Sequence, residues 1–276
     1  MTARSSGGLG RRALLTSALG GVVALPFLRA GVAGAAGPDS TDPLAAAASP
    51  WTLRWKPEPA EDGLDAFEGV EDDRKKSHPG VRHIYVQGNS YRFDMHTRDR
   101  DGEDRQRSEV KGMRVDDENL AMLRGETWRF TYSMFIPKSL RATRTFTHVM
   151  QMKKPGPGTS PILVMSLRQH SGVPKIEMKV FESDTLVGMT DLAPLQDKWI
   201  DTEFELRVGD GREGQVRWVV RDGGRTVLDE RTTGVDLWLG DRVRPKWGIY
   251  RSVRDTTGAL RDCHLLIRNL RAYQRK

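Results

Sequence analysis

The sequence predicts an all-β protein, a β-sandwich jelly roll built from two packed antiparallel sheets. From residue 51 onward, short apolar or alternating runs are separated by Gly, Pro, Asp and Asn, which is the punctuation of strands joined by turns. None of these runs has the length and 3.6-residue period of a long amphipathic helix. The ten expected strands, enough for two sheets, are residues 82–86, 90–96, 127–136, 146–152, 162–168, 175–181, 200–208, 215–221, 246–252 and 264–273.

The clearest strand is 127–136, in which the even-numbered apolar residues Trp128, Phe130, Tyr132 and Met134 share one face. Runs 175–180 and 203–208 alternate in the same way, as expected for strands with one side on a core. Asp222-Gly223-Gly224 predicts a tight hairpin turn, because Gly supplies the positive φ that such turns need. Residues 116–123 are expected to form one or two helical turns.

The first fifty residues have a different composition. Arg11 and Arg12 precede the apolar run 13–28, and small residues with an Ala-x-Ala-like cleavage site follow at 33–35. Residues 1–36 are therefore predicted to be a twin-arginine export signal and 37–50 a linker, with one domain from 51 to 276. We expect a secreted protein that passes through the twin-arginine export machinery.

Charge and cysteine content narrow the class of protein. The formal net charge is +7, but four arginines lie in the predicted signal with no acidic residue, so its removal leaves about +3. Such a balance does not indicate a nucleic-acid binder. Cys263 is the single cysteine, which excludes an internal disulfide, and we expect a monomer stabilised by its core alone.

Residues 246–252 contain the residues that contribute most to the prediction of function. As a strand they place Lys246 and Tyr250 on one face, with Trp247, Ile249 and Arg251 on the other. Gly248 between them leaves room for a ligand or for another backbone. A groove-forming strand is one interpretation; a rim tyrosine beside a solvated lysine is the other.

Two further polar clusters are candidates for the same surface. If 105–111 is a strand, Arg105, Arg107, Glu109 and Lys111 share a face, and such guanidinium groups suit carboxylate or sulfate ligands, with Glu109 holding the arginines in place. The alternative is a salt-bridged outer face.

In the second cluster, residues 148–154, alternation puts Gln151 and Lys153 on one face and His148 on the opposite face. A lone histidine such as His148 is more often structural than catalytic.

These three motifs, in this order, resemble the motif strands of jelly-roll polysaccharide lyases. The sequences in question are Arg107-Ser108-Glu109-Val110, Gln151-x-Lys153 and Lys246-Trp247-Gly248-Ile249-Tyr250-Arg251. The families are those of heparinase I and glucuronan lyase, with alginate lyases more distant, and the resemblance extends over residues 51–273. It implies a polysaccharide lyase that cleaves a uronic-acid polymer by β-elimination, with glucuronan-like chains ahead of heparin-like or alginate-like ones.

The resemblance also implies roles for individual residues. Arg107 and Gln151 would neutralise the substrate carboxylate, and Tyr250 would transfer the proton, with its pKa of about 10 lowered by Lys246 or Arg251. These families often have His where this sequence has Lys153, so Tyr250, Lys153 and His148 all stay candidates for the base. The expected substrate-binding residues are Arg105, Glu109, Lys111, Lys153, Lys246 and Arg251.

Two other classes of protein are alternatives to a lyase. Laminarinase-type hydrolases need a carboxylate pair on one strand, but the nearest match, Glu177 to Glu182, has Lys179 where an acid is required. A non-catalytic lectin-like module, with Trp247 stacking on sugars, stays open. We expect no cofactor and no metal site of Cys or paired His, although a structural calcium bound by scattered Asp residues stays possible.

Overall fold

Two large antiparallel sheets pack face to face in the computed structural model, which describes residues 50–276 and confirms the all-β jelly-roll prediction. The predicted export signal, and the linker apart from Pro50, lie outside the described residues. The strands in chain order are β1 (Trp51–Trp55), β2 (Gly69–Asp72), β3 (Ile84–Gln87), β4 (Ser90–Met95), β5 (Arg105–Lys111), β6 (Arg114–Val115), β7 (Glu118–Asn119), β8 (Thr127–Phe135), β9 (Thr147–Lys153), β10 (Pro161–His170), β11 (Val173–Val180), β12 (Thr185–Asp191), β13 (Trp199–Arg207), β14 (Gly214–Asp222), β15 (Arg225–Val235), β16 (Arg244–Ser252) and β17 (Cys263–Arg275).

The order of strands within each sheet decides which residues meet. One sheet runs β15-β14-β13-β8-β17-β4-β3, with β1 also paired to β17. The other runs β12-β11-β10-β9-β16-β5-β2, and β6 pairs with β7 in a separate small hairpin. Helix is confined to α1 (Pro59–Asp62) and a 3-10 turn (Ala193–Leu195) within residues 50–276. The three polar motifs therefore lie on the neighbouring strands β9, β16 and β5.

The core fills the space between the sheets, and alternation explains how it forms. The predicted inward face of β8 is buried at Trp128, Phe130, Tyr132 and Met134. Trp247 of β16 meets this face from the other sheet, with its ring 6.0 Å from that of Phe130 and 6.4 Å from that of Tyr132. Each large apolar side chain buried in this way contributes about 1.5–3 kcal/mol. The aromatic face of β16 thus anchors the strand and directs its alternate residues away from the core.

All ten predicted strands are present, but the prediction of helix at 116–123 is wrong. Asp116 and Asp117 have φ values of 49° and 66°, and they form the turn between β6 and β7. Asp tolerates this left-handed conformation, so two consecutive Asp residues favour a turn over a helix. The predicted Gly223-Gly224 hairpin is confirmed between β14 and β15.

Irregular pairing at the centre of the second sheet changes the face on which one histidine lies. Val149 on β9 is an extra residue relative to β10, because Met150 pairs with Met165 while His148 already pairs with Ser166. A β-bulge of this kind moves the residues beyond it to the other face of the strand. His148 therefore lies on the same face as Gln151, and the sequence-based prediction of opposite faces is wrong.

A second bulge explains Gly248. On β16, Trp247 pairs with Met150 and Tyr250 with His148, so two residues oppose one on β9. Gly248 has φ of 134°, and a Cβ there would lie 2.1 Å from the carbonyl oxygen of Ser108. The glycine is needed for close approach to the backbone of β5, which is one of the two alternatives that the sequence offered.

Within residues 50–276 no helix is long or apolar enough to cross a membrane.

Candidate active site

The three motif strands place most of the predicted residues side by side on the face of the second sheet that lines a groove. Tyr250 pairs with Arg107 on one side and with His148 on the other, and Lys246 pairs with Gln151. A groove of about 770 Å³ lies over them, and its lining includes Arg105, Arg107, Gln151, Lys153, Lys246 and Tyr250. Arg107 is salt-bridged, as the outer-face alternative expected, and its side chain is 12% exposed within the lining of this groove.

The floor of the groove is a buried network of opposite charges. Lys246 Nζ lies 2.6 Å from Glu71 Oε2 and 2.7 Å from Glu109 Oε2. Arg107 Nη1 donates to the same Glu109 oxygen, and its Nε donates to Asp101 Oδ2 at 2.8 Å. Burial alone would raise the pKa of Glu109, but the two cations outweigh it and hold the pKa below its usual range. The network fixes both cations in place beneath the groove.

Glu71 completes the network from β2. Burial opposes its ionisation, but Lys246 and Arg107 lower the pKa of Glu71 to about 2. Gln151 Nε2 donates to Glu109 Oε1 at 2.5 Å, so its amide also has a fixed orientation. Carboxylates, cations and amide are thus arranged before any ligand arrives.

Two arginines and two aromatic rings contact Tyr250 and fix its position. Arg105 Nη1 donates to its hydroxyl oxygen at 3.1 Å, and the Cζ atom of Arg107 lies 3.8 Å from the ring centroid. The ring centroids of Phe146 and His148 lie 5.0 and 5.8 Å away. The phenol therefore has a defined position with a cationic donor at its oxygen.

His148 lies beneath Tyr250 as a buried, neutral imidazole. Burial lowers the pKa of His148 to about 4; Glu109 opposes this effect, and three nearby cations act in the same direction as burial. Its Nδ1 lies 2.8 Å from Ser166 Oγ, and its ring stacks on Phe146. These contacts make it a support for the tyrosine ring.

Lys153 differs from the other cations of the groove. It is half-buried, and desolvation lowers its pKa to about 8, with repulsion from Lys246 and Arg107 adding to the effect. An amine with this pKa is neutral in an appreciable fraction of molecules near pH 8. Lys153 therefore combines access to the groove with the capacity to accept a proton.

Arg251 is not part of this surface, and its predicted role in substrate binding is wrong. Its side chain lies on the core side of β16, where Nε donates to Gln106 Oε1 at 2.6 Å and Nη1 lies 3.3 Å from Cys263 Sγ. The residue is 1% exposed. Cys263 is buried beside it, and burial raises the pKa of the thiol to about 11.

Four other residues differ in position from what their predicted roles require. Glu109 is 0% exposed, so it does not contact substrate; it is the internal counterion of Arg107 and Lys246 and accepts a hydrogen bond from Gln151. Lys246 lines the groove but is itself only 2% exposed. Trp247 is buried in the core, so it cannot stack on a sugar as the lectin interpretation requires. Lys111 points to Glu71, with Nζ 3.4 Å from Oε1.

Sequence reasoning missed several groove residues. Glu71 lies on the four-residue strand β2, and Asp101 lies in a loop, so neither belongs to a long alternating run. Arg244 and Arg254 flank the third motif and line the groove, and their positions just outside the motif were the only available signal.

A separate cluster of His78, His83, His96 and Asp99 could hold a metal ion, since one ligand atom from each lies within 4.8 Å of the others. The sequence predicts no metal site of Cys or paired His, because these residues are spread over twenty-two positions and form no paired-histidine motif.

The chain belongs to the jelly-roll fold class, and solved structures with this fold include polysaccharide lyases. One is the endo-β-1,4-glucuronan lyase from the fungus Trichoderma reesei, with a TM-score of 0.54 and 12% identity over 80% of this chain and 95% of that chain. Another is the alginate lyase Aly36B, with a TM-score of 0.50 and 12% identity over 80% and 96%. No protein-family model and no curated protein matches the sequence. At these identities the similarity is one of fold.

Proposed function

We propose that the protein is a polysaccharide lyase that cleaves a uronic-acid-containing polymer by β-elimination. The observation that carries the proposal is the groove in which Lys153, with its pKa of about 8, faces the same space as Tyr250 above the fixed cation Arg107. The fold that the chain shares with a glucuronan lyase and an alginate lyase supports it.

The reaction requires a group that neutralises the carboxylate, a base and an acid, and the groove contains a candidate for each. The C5 proton of a uronate is weakly acidic until its carboxylate is neutralised, which Arg107 and Gln151 would do. Lys153 would take the C5 proton, the C4–O bond would break as the C4–C5 double bond forms, and Tyr250 would protonate the leaving oxygen. Exchange with water then returns both side chains to their starting forms.

The charge of the groove suits an acidic polymer. Eight cationic side chains and four acidic ones line it, so a polyanion experiences net attraction along its length. The acidic residues include Glu71 and Asp101, which are already paired with Lys246 and Arg107. Binding of a substrate carboxylate would use cations whose positions the protein has fixed in advance.

The direct test is an assay of the purified protein against glucuronan, alginate, heparin and other polyuronates. We expect ultraviolet absorbance to rise, because elimination leaves a double bond conjugated to the uronate carboxylate, with glucuronan-like chains cleaved fastest. Binding of these polymers without any new absorbance would contradict the proposal and favour a lectin. Neutral polymers serve as controls, since they have no acidic C5 proton.

The pH profile tests the role of Lys153. Because the neutral amine is the base, kcat/KM should rise about tenfold per pH unit below pH 8 and level off above it. In Lys153→His the rise should move toward pH 6.5, the usual pKa of imidazole. Lys154→His is the matched control, because Lys154 pairs with Asp241 and should leave the profile unchanged. A profile that stays the same in Lys153→His would exclude Lys153 as the base.

A further inference from the structure

Three histidines and an aspartate lie close together outside the lining of the groove. They come from two connecting segments of the chain. His78 and His83 lie in the segment between β2 and β3, and His96 and Asp99 follow the end of β4. His83 is 3% exposed at its side chain and Asp99 6%, whereas His78 and His96 are 17% and 30% exposed. The cluster is therefore closed on one side and open to solvent on the other.

The imidazole nitrogens surround the Asp99 carboxylate. His78 Nδ1 lies 3.0 Å and His83 Nε2 3.2 Å from Asp99 Oδ1, and His96 Nδ1 lies 3.3 Å from Asp99 Oδ2. The rings face one another edge to face, with centroids 4.8 to 5.5 Å apart. Four potential ligands thus converge on one small volume.

The contacts of His83 leave one of its ring nitrogens buried without a hydrogen-bond partner, beside a carboxylate. Its Nδ1 lies 2.7 Å from Asp72 Oδ1, which places the ring proton on Nδ1 and leaves a lone pair on Nε2 in the neutral imidazole. That Nε2 is buried, and within residues 50–276 it has no hydrogen-bond partner although it faces an Asp99 oxygen. Two acceptors in this position repel each other unless a proton or a metal ion lies between them.

We propose that His78, His83, His96 and Asp99 bind one Zn²⁺ ion with tetrahedral coordination. Three imidazoles and one carboxylate suit zinc better than calcium or magnesium, which prefer sets made of oxygen alone. Zinc bonds of about 2.0–2.1 Å would separate the ligand atoms by about 3.4 Å. The ligand atoms lie within 4.8 Å of one another, so the longest separation would shorten by at most about 1.4 Å on zinc binding. Asp72 orients His83 as a carboxylate that hydrogen-bonds to a metal-bound histidine commonly does.

The ion would connect segments that reach the groove. Gln106, next to Arg107 on β5, donates to the carbonyl oxygens of His96 and Asp99, both at 2.9 Å. Asp72 directly follows Glu71, and Asp101 lies two residues after Asp99 and binds Arg107. With four protein ligands and no open position, the zinc is structural, and it would fix the two segments that supply the counterions of Arg107.

The experiment is metal analysis of the full-length protein after exposure to excess Zn²⁺ and removal of unbound metal. We expect about one zinc per chain, a higher Tm than after chelation, and the visible absorption of tetrahedral Co²⁺ when cobalt replaces zinc. His96→Gln should weaken zinc affinity at least tenfold while folding normally, because His96 is the most exposed ligand. Asp72→Asn should weaken it about 10–100-fold through the orientation of His83.

His170→Gln is the matched control. His170 is a partly exposed histidine paired with Glu177 outside the cluster, so this variant should bind zinc like the wild type. Absence of bound zinc in the wild type, with a Tm unaffected by zinc or chelator, would overturn the proposal. So would equal zinc content and affinity in His96→Gln, or binding of Ca²⁺ in preference to Zn²⁺.

Discussion

Replacement of Tyr250 by Phe should lower kcat on the preferred polyuronate about 10²–10⁴-fold, the usual contribution of a general acid or base. The variant deletes one hydroxyl and keeps the ring that Arg107 covers at 3.8 Å, so folding and polymer binding should persist. Steady-state kinetics from the ultraviolet signal, with polymer affinity measured separately, gives the result. A fall in kcat at nearly constant affinity is expected, because the proton is transferred only in the transition state.

Tyr85→Phe provides the control for this experiment. Tyr85 lies on β3 in the other sheet, and its hydroxyl also has a hydrogen-bond partner, Asp94 Oδ2 at 2.9 Å. Its loss should leave kcat unchanged. If Tyr250→Phe lowered kcat by less than tenfold, Tyr250 would have to be removed from the proton-transfer steps, and the leaving oxygen would need another donor.

Replacement of Lys246 by Met should lower the free energy of unfolding by about 3–5 kcal/mol, because it removes one of the two cations, the other being Arg107, that two buried carboxylates share. Lys246 Nζ contacts both Glu71 and Glu109, and its side chain is only 3% exposed. Domains of this kind are stable by about 5–15 kcal/mol, so the loss is a large share of the total. Urea unfolding at neutral pH measures it.

Two comparisons make this result specific. Lys111→Met removes the lysine that pairs with Lys246 across the strands, but its Nζ is 3.4 Å from Glu71 and 28% exposed, so the cost should stay below about 1 kcal/mol. Adding Glu109→Gln to Lys246→Met should restore part of the stability, because it removes a fully buried carboxylate that has lost one of its two cations and keeps Arg107. A cost for Lys246→Met similar to that for Lys111→Met would contradict the network.

The same network should make the free energy of unfolding depend on pH in the acid range. The pKa of Glu71 is about 2 in the folded protein against about 4.3 in the unfolded chain, so its stabilising contribution is present above pH 4.3 and is lost as the pH falls toward 2. In Lys246→Met this part of the acid sensitivity should shrink, because the largest attraction that lowers the pKa is gone.

The fold was predictable because its strands carry local signals. Alternation in 127–136 and the Gly223-Gly224 turn are properties of neighbouring residues, and both agree with the structure. Strands without such signals were missed: β2 has four residues, and β12 has two adjacent buried residues in place of an alternating pattern, so little apolar periodicity marks them. The Asp116-Asp117 turn was missed because its sequence also permits a helical turn.

The site was only half predictable for a different reason. Alternation within one strand placed Arg107, Gln151 and Tyr250 correctly, but it assumes a strand without interruptions. The bulge at Val149 depends on pairing with β10, which is information from another part of the chain, so the face of His148 could not be predicted from its own strand. The counterions Glu71 and Asp101 likewise depend on long-range pairing.

The single cysteine provides a site at which local unfolding of the sandwich can be measured. Cys263 begins β17, its thiol is buried against Arg251, and its pKa of about 11 keeps it protonated at neutral pH. A thiol in that state reacts with an aromatic disulfide reagent only after the strand separates from its neighbours, so the labelling rate measures how often this end of the sandwich opens. Because no second thiol competes for the reagent, each modified molecule records one opening at one known place in the chain.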